Sequence, residues 1–195
     1  MLIGSPSCTA FSTWMALTGA MSKDVAAIRR AKIRAIRHIE FVIELYYEQL
    51  AGGRYFLHEH PEHATSWQLL QMKSLMQAQG VVRVCGDQCQ YGQEVQYGEH
   101  IGQPVRKATG FMSNAPKILE RLTRRCAGRD GTCGRSKGGR HVQASGRVAK
   151  DAARYSDGLC RAMIRGMVDE MRSRGIWRPG EEGMHPSLTR TAPKP

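Results

Sequence analysis

Met1-Leu2-Ile3-Gly4-Ser5-Pro6-Ser7-Cys8-Thr9-Ala10-Phe11-Ser12 reads as the end of an apolar strand running into a short Pro/Ser turn that holds a cysteine. Open α/β folds keep their chemistry at the carboxyl edge of the sheet, where such a turn would present Cys8. Downstream, Ser22 or Asp24 opens a long helix to about Ala51. Ile28, Ala31, Ala35, Ile39, Val42, Ile43, Tyr46 and Leu50 recur at three- and four-residue steps, and Gly52-Gly53 closes it. Arg54 to His58 is then a short buried strand ending at Glu59. Strand, long crossover helix and strand make a right-handed βαβ unit with parallel strands. Cys8 and Glu59 are therefore expected at the carboxyl ends of neighbouring strands.

The rest of the chain reads more coarsely. Thr13 to Met21 is a short helical turn or a loop, and Thr65 or Ser66 caps a helix to about Gln79 with Trp67, Leu70, Leu75 and Met76 on its apolar side. Val81 to Cys85 is a third strand, residues 86–107 a glycine-punctuated loop or hairpin, and Ala108 to Ser113 a fourth strand. Pro116 starts a helix through Cys126. Arg124 to Arg154 holds nine Lys/Arg against Asp130 and Asp151, is rich in glycine, and reads as a flexible basic loop. Ser156 to Arg174 is an amphipathic helix, and 175–195 a disordered tail. The expected fold is a single α/β domain over 1–174, with about four strands, helices on both faces, the basic loop and the C-terminal helix.

Composition narrows the function. A net charge of +12 across 195 residues, with a hydrophobic fraction of 41%, fits a soluble domain that favours polyanions. Nucleic acid, DNA or RNA, is the expected partner. Arg29, Arg30 and Arg34 on the long helix, with Arg124, Arg125, Arg135, Lys137 and Arg140 in the basic loop, are the candidate phosphate contacts. The order of charges along the long helix, basic first and acidic last, runs against the helix dipole, so helix stability does not account for it. No apolar run is long enough to span a membrane, and no signal peptide is evident, which points to an intracellular location, the nucleus included.

Three stretches together resemble DNA cytosine-5 methyltransferases. Pro6-Ser7-Cys8-Thr9-Ala10-Phe11-Ser12 is similar to their Pro-Pro-Cys-Gln-x-Phe-Ser loop, and Tyr55 to Pro61 to the strand ending in Glu-Asn-Val or Glu-Asn-Pro. Gln90-Tyr91-Gly92 with Gln103 to Phe111 resembles the Tyr-Gly-x-Pro-Gln-x-Arg segment, split by an insertion. The closer likeness is to divergent members carried by phages and mobile elements, and it covers roughly residues 1–165. The resemblance implies a partial Rossmann-like sheet whose fourth strand runs antiparallel to its neighbour. It also implies Cys8 as the nucleophile that adds to cytosine C6, Glu59 as the acid at N3, and Arg106 as support for the flipped base. Ser7 and His60 depart from the pattern, and the glycine-rich turn that binds S-adenosylmethionine is not recognisable. On this reading the chain carries the second half of a domain, S-adenosylmethionine is its cofactor only if the missing half is supplied, and an upstream polypeptide would complete it. The alternatives are a non-catalytic nucleic-acid-binding module of a mobile-element polyprotein and a zinc-stabilised interaction domain.

Metal chemistry is the weaker expectation. Pro61 prevents His58-Glu59-His60-Pro61-Glu62-His63 from forming the continuous helix that a His-Glu-x-x-His site needs. Cys126, Cys133 and His141, with Cys85 or Cys89, are the rival zinc set, but neither half has the tight Cys-x2-Cys spacing. The expected state of the six cysteines is ordinary reduced thiols, with no metal.

Overall fold

The computed structural model describes residues 1–12 and 24–176. The readings of Thr13–Met21, of Ser22 and of the tail beyond residue 176 fall outside these residues. A four-stranded mixed sheet in the order β1-β2-β5-β3 organises the chain, built from β1 (Leu2–Gly4), β2 (Phe56–Pro61), β5 (Ala108–Ser113) and β3 (Val82–Asp87). β1 and β2 are parallel, with Gly4 opposite His58. β5 lies antiparallel between β2 and β3, with Glu59 opposite Phe111 and Gly86 opposite Thr109. β1, β2 and β3 therefore run in one direction and share one carboxyl edge. β4 (Val105–Arg106) and β6 (Val142–Gln143) form a separate parallel pair.

The expected βαβ unit is present. α1 (Val25–Ala51) begins where the Asp24 side chain accepts a hydrogen bond from the Ala27 N–H and ends at Gly52. Its Ile39, Val42, Ile43 and Tyr46 pack with Phe56, Met112, Trp67, Met72 and Leu75 into one core cluster. The opposite face of the sheet, with Leu57 and Phe111, is covered by α3 (Pro116–Glu120) and α5 (Asp157–Ser173), which contribute Ile118, Leu159 and Met163. A strand alternates its side chains, so β2 sends Phe56, His58 and His60 to the α1 side and Leu57 and Glu59 to the α5 side.

Several local readings change. β2 starts and ends later than the sequence suggests, so Glu59 and His60 lie inside the strand, because β5 pairs with it as far as Pro61. The helix expected from Thr65 to Gln79 is a 3-10 turn (Thr65–Gln68) followed by α2 (Leu70–Met76), and Leu70 is exposed while Met72 is buried in its place. The helix expected to reach Cys126 stops at Glu120. The basic stretch 124–154 contains regular structure: β6 pairs with β4, α4 (Gly146–Asp151) follows, and Arg135 donates to Glu94 and to the Gly138 and Gly102 carbonyls. Among the described residues no helix is long and apolar enough to cross a membrane.

Candidate functional site

Four segments meet at the shared carboxyl edge: the Ser5–Cys8 turn after β1, the end of β2, the 3-10 turn Gln88–Tyr91 after β3, and the start of β5. The parallel β1–β2 pairing and the antiparallel insertion of β5 bring them together from positions far apart in sequence. Glu59 is their common point. It is only 4% exposed, yet both carboxylate oxygens are engaged. Oε2 accepts from the Ser5 hydroxyl at 2.7 Å and the Tyr155 hydroxyl at 3.4 Å. Oε1 accepts from Gln88 Nε2 at 3.2 Å and pairs with Lys107 Nζ at 3.5 Å. Burying a carboxylate is costly unless its oxygens are satisfied, and here one 3-10 turn residue and three loop residues satisfy them.

Cys8 sits beside this group, half-buried, as the cap of a 3-10 turn (Thr9–Phe11) whose Phe11 N–H donates to the Cys8 carbonyl. Burial raises the Cys8 thiol above its ordinary value, the Lys107 ammonium pulls it back, and the Glu59 charge pushes it up again. The resting group is accordingly a thiol, raised chiefly by burial and trimmed by Lys107 against Glu59. The turn itself is held from two sides. Lys32 Nζ donates to the Ala10 carbonyl at 3.0 Å and lies over the Phe11 ring. His60, bonded to the Ser66 hydroxyl at 2.6 Å, faces the Pro6 and Ser7 backbone. Burial drives His60 down to about 4 and His58, bonded to Tyr46, down to about 3, so both are neutral imidazoles within a core. The run His58-Glu59-His60 thus divides between the two faces of the sheet, and its histidines serve packing and loop placement.

Of the residues predicted from sequence, Cys8 and Glu59 are brought to one edge. The cation at Glu59 is Lys107, a residue that the sequence reading did not single out. Arg106 lines a neighbouring cleft of about 320 Å3 together with Glu62, Asp87, Lys107 and Arg125. The phase could not be read from sequence, because Arg106 ends β4 and Lys107 falls between β4 and β5. Ser5, Gln88 and Tyr155 carried no signal beyond lying next to a strand end or a helix cap. Among the candidate phosphate contacts, Arg29, Arg30, Arg34, Arg124, Lys137 and Arg140 are exposed. Arg125 pairs with Glu62 at 3.0 Å and Asp87 at 3.3 Å, while Arg135 is turned inward onto Glu94.

A second cluster adjoins the first. Cys89, Cys126, Cys133 and His141 place their ligand atoms within 4.8 Å of one another. Cys85, the other cysteine considered for such a set, is turned to Glu62 instead. Burial would raise the Cys126 thiol, but hydrogen bonds from the Gly134 and Gly128 backbone N–H groups outweigh it and hold the thiol below its ordinary value.

Two clefts among the described residues are lined chiefly by charged side chains, glycines and the cysteine–histidine cluster, and neither offers S-adenosylmethionine the apolar slot its adenine ring requires. Comparison with protein-family models, with curated proteins and with solved structures gives no match for this chain. Its function must be argued from the edge chemistry itself.

Proposed function

We propose that this chain carries the base-activating part of a DNA cytosine-5 methyltransferase-like domain, with Cys8 as nucleophile, Glu59 as the acid and hydrogen-bond partner at cytosine N3, and Lys107 as the cation that lies beside Glu59 and lowers the Cys8 thiol. The observation that carries this reading is the convergence of Cys8 and Glu59 at the carboxyl ends of adjacent parallel strands, with Lys107 acting on each. The antiparallel direction of β5 supports it further, since the resemblance implies a fourth strand antiparallel to its neighbour. The target base would have to leave the duplex to reach a group as buried as Glu59.

The chemistry assigned to these residues is addition and elimination. The Cys8 thiol gives up its proton to water, sulfur bonds to cytosine C6, and the electron pair of the C5–C6 double bond passes through the ring as N3 takes a proton from Glu59, which has drawn that proton from solvent. Ser5 and Tyr155 can turn from donors to acceptors, since each hydroxyl serves both roles, and so accommodate Glu59 with its proton. C5 is then an enamine-like carbon. It can accept a proton from solvent, after which loss of the original C5 proton to water, return of the N3 proton to Glu59 and departure of sulfur as the thiolate restore cytosine. No methyl-transfer step is assigned to the described residues, because neither cleft described above fits the methyl donor.

This reading is tested without cofactor. DNA containing cytosine is incubated with the full chain in D2O, and deuterium at C5 is measured by mass spectrometry of the recovered nucleosides. Incorporation with the native chain, and none with Cys8→Ser, is the expected result. A chain that binds the DNA in a salt-sensitive manner, unchanged by Cys8→Ser, and exchanges no C5 hydrogen would overturn it in favour of a non-catalytic nucleic-acid-binding module.

A further inference from the structure

We infer that Cys89, Cys126, Cys133 and His141 bind one zinc ion as a closed structural site. This inference stands apart from the base-activation reading. It rests first on distances. A tetrahedral zinc ion with sulfur ligands at about 2.3 Å sets sulfur atoms about 3.8 Å apart, and a sulfur and an imidazole nitrogen about 3.6 Å apart. Cys126 Sγ lies 3.7 Å from Cys133 Sγ and 3.6 Å from His141 Nε2. The same sulfur–sulfur distance is far too long for a disulfide, whose bond is about 2.05 Å. All the remaining ligand atoms fall within the same 4.8 Å sphere of separation, so closing the tetrahedron asks for movement of about 1 Å.

The surroundings are those of a metal-bound thiolate set. The Gly134 N–H points at Cys126 Sγ at 3.3 Å, and Gln90 Nε2 at Cys89 Sγ and Cys133 Sγ at 3.5 and 3.7 Å. Donors directed at ligand sulfurs offset their charge and fix their orientation. The backbone wraps Cys126 so closely that a Cβ on Gly128 would overlap the Thr132 carbonyl oxygen, and one on Gly134 would stand 2.9 Å from the Gly128 nitrogen. Three soft sulfurs and one imidazole favour zinc over magnesium or calcium, and four protein ligands leave no open position for catalysis.

The position of the site gives it a role. Segment 124–145 has little apolar content to bury, yet Cys133 is 7% exposed and Cys89 only 2%. The ion would supply the cohesion a core would otherwise provide. It would also tie the basic segment to the catalytic edge. Cys89 follows Gln88, whose side chain donates to Glu59 and whose backbone N–H donates to the Lys107 carbonyl. Asp87 accepts from the Cys126 backbone N–H at 2.7 Å.

The test is metal analysis of the full chain purified without chelator, with no DNA present. The expected result is one zinc per chain, with cobalt substitution giving the strong visible absorption of a tetrahedral thiolate-rich site. Alkylation mapping of the native chain should show Cys89, Cys126 and Cys133 protected until a chelator is added, while Cys8 and Cys160 react throughout. Cys89→Ser and Cys133→Ser should lose the metal, and Cys85→Ser should keep it. A native chain that neither carries zinc nor takes up zinc or cobalt on titration would overturn the inference, and so would loss of the metal in Cys85→Ser with retention in Cys89→Ser. Because the native chain is itself titrated and mapped, a variant that fails to fold does not blunt the result.

Discussion

Replacing Lys107 with methionine keeps most of the aliphatic stem and removes one charge from the centre of the edge. The ammonium stands 3.5 Å from Glu59 Oε1, with the two side chains 16% and 5% exposed. Two unit charges at that distance interact by about 5 kcal/mol at an effective dielectric of about 20. Glu59 keeps its contacts from Ser5, Tyr155 and Gln88, which reduce the penalty, while the hydrogen bond from Lys107 to the Ala152 carbonyl is also lost. The expected destabilisation is about 3 kcal/mol, the scale for breaking a buried pair, against less than about 1 kcal/mol for a surface pair. Urea unfolding followed by circular dichroism measures it. The same variant raises the Cys8 thiol further, because Lys107 is the cation that lowers it, whereas Glu59→Gln lowers the thiol by removing the charge that raises it. Alkylation of Cys8 at pH 8, followed by peptide mass spectrometry, should slow in Lys107→Met and quicken in Glu59→Gln. A stability loss under about 0.5 kcal/mol, the range of ordinary surface changes, or rates moving in the same direction in both variants, would refute this account of the site.

The buried histidines predict an acid-labile fold. His58 at about 3 and His60 at about 4 are neutral in the folded chain, while the unfolded chain binds their protons near 6.5; their full stability is present above that value and is lost as pH falls below it, by about 1.4 kcal/mol per pH unit per histidine. Urea midpoints between pH 6.5 and 5 should drop accordingly, and a flat profile there would contradict the burial argument. Gly128→Ala should lower zinc retention, since its Cβ meets the Thr132 carbonyl, whereas Gly53→Ala, with no atom within 4 Å, should leave zinc content unchanged. In DNA-binding titrations, Arg29→Ala, Arg30→Ala and Arg34→Ala should each reduce the slope of log affinity against log salt by about 1. Arg135→Ala should leave that slope near its native value and instead destabilise the fold, because Arg135 is spent on Glu94 and two backbone carbonyls.

Local signals fixed much of the frame. The apolar stripe of α1, the Gly52-Gly53 stop and the short aromatic strand that follows were enough to set a parallel βαβ unit and to put Cys8 and Glu59 on one edge. Periodicity and crossover handedness are properties of contiguous residues, so one chain reveals them. Strand limits, helix lengths and the phase of Arg106 against Lys107 were not legible in the same way, because partners distant in sequence set them: β5 extends β2 past Glu59, and the break between β4 and β5 decides which cation turns inward. Cys126, Cys133 and His141 were legible as a candidate set, but their loose spacing could not choose between Cys85 and Cys89 as the fourth member. Only the return of β6 alongside β4, and of the 126–134 turn onto the end of β3, closes them to within reach of a single ion. The sequence by itself determined the crossover unit and, through it, the meeting of Cys8 and Glu59 at one edge; tertiary structure alone decided which other residues join them, because that convergence depends on long-range pairing that no local pattern encodes.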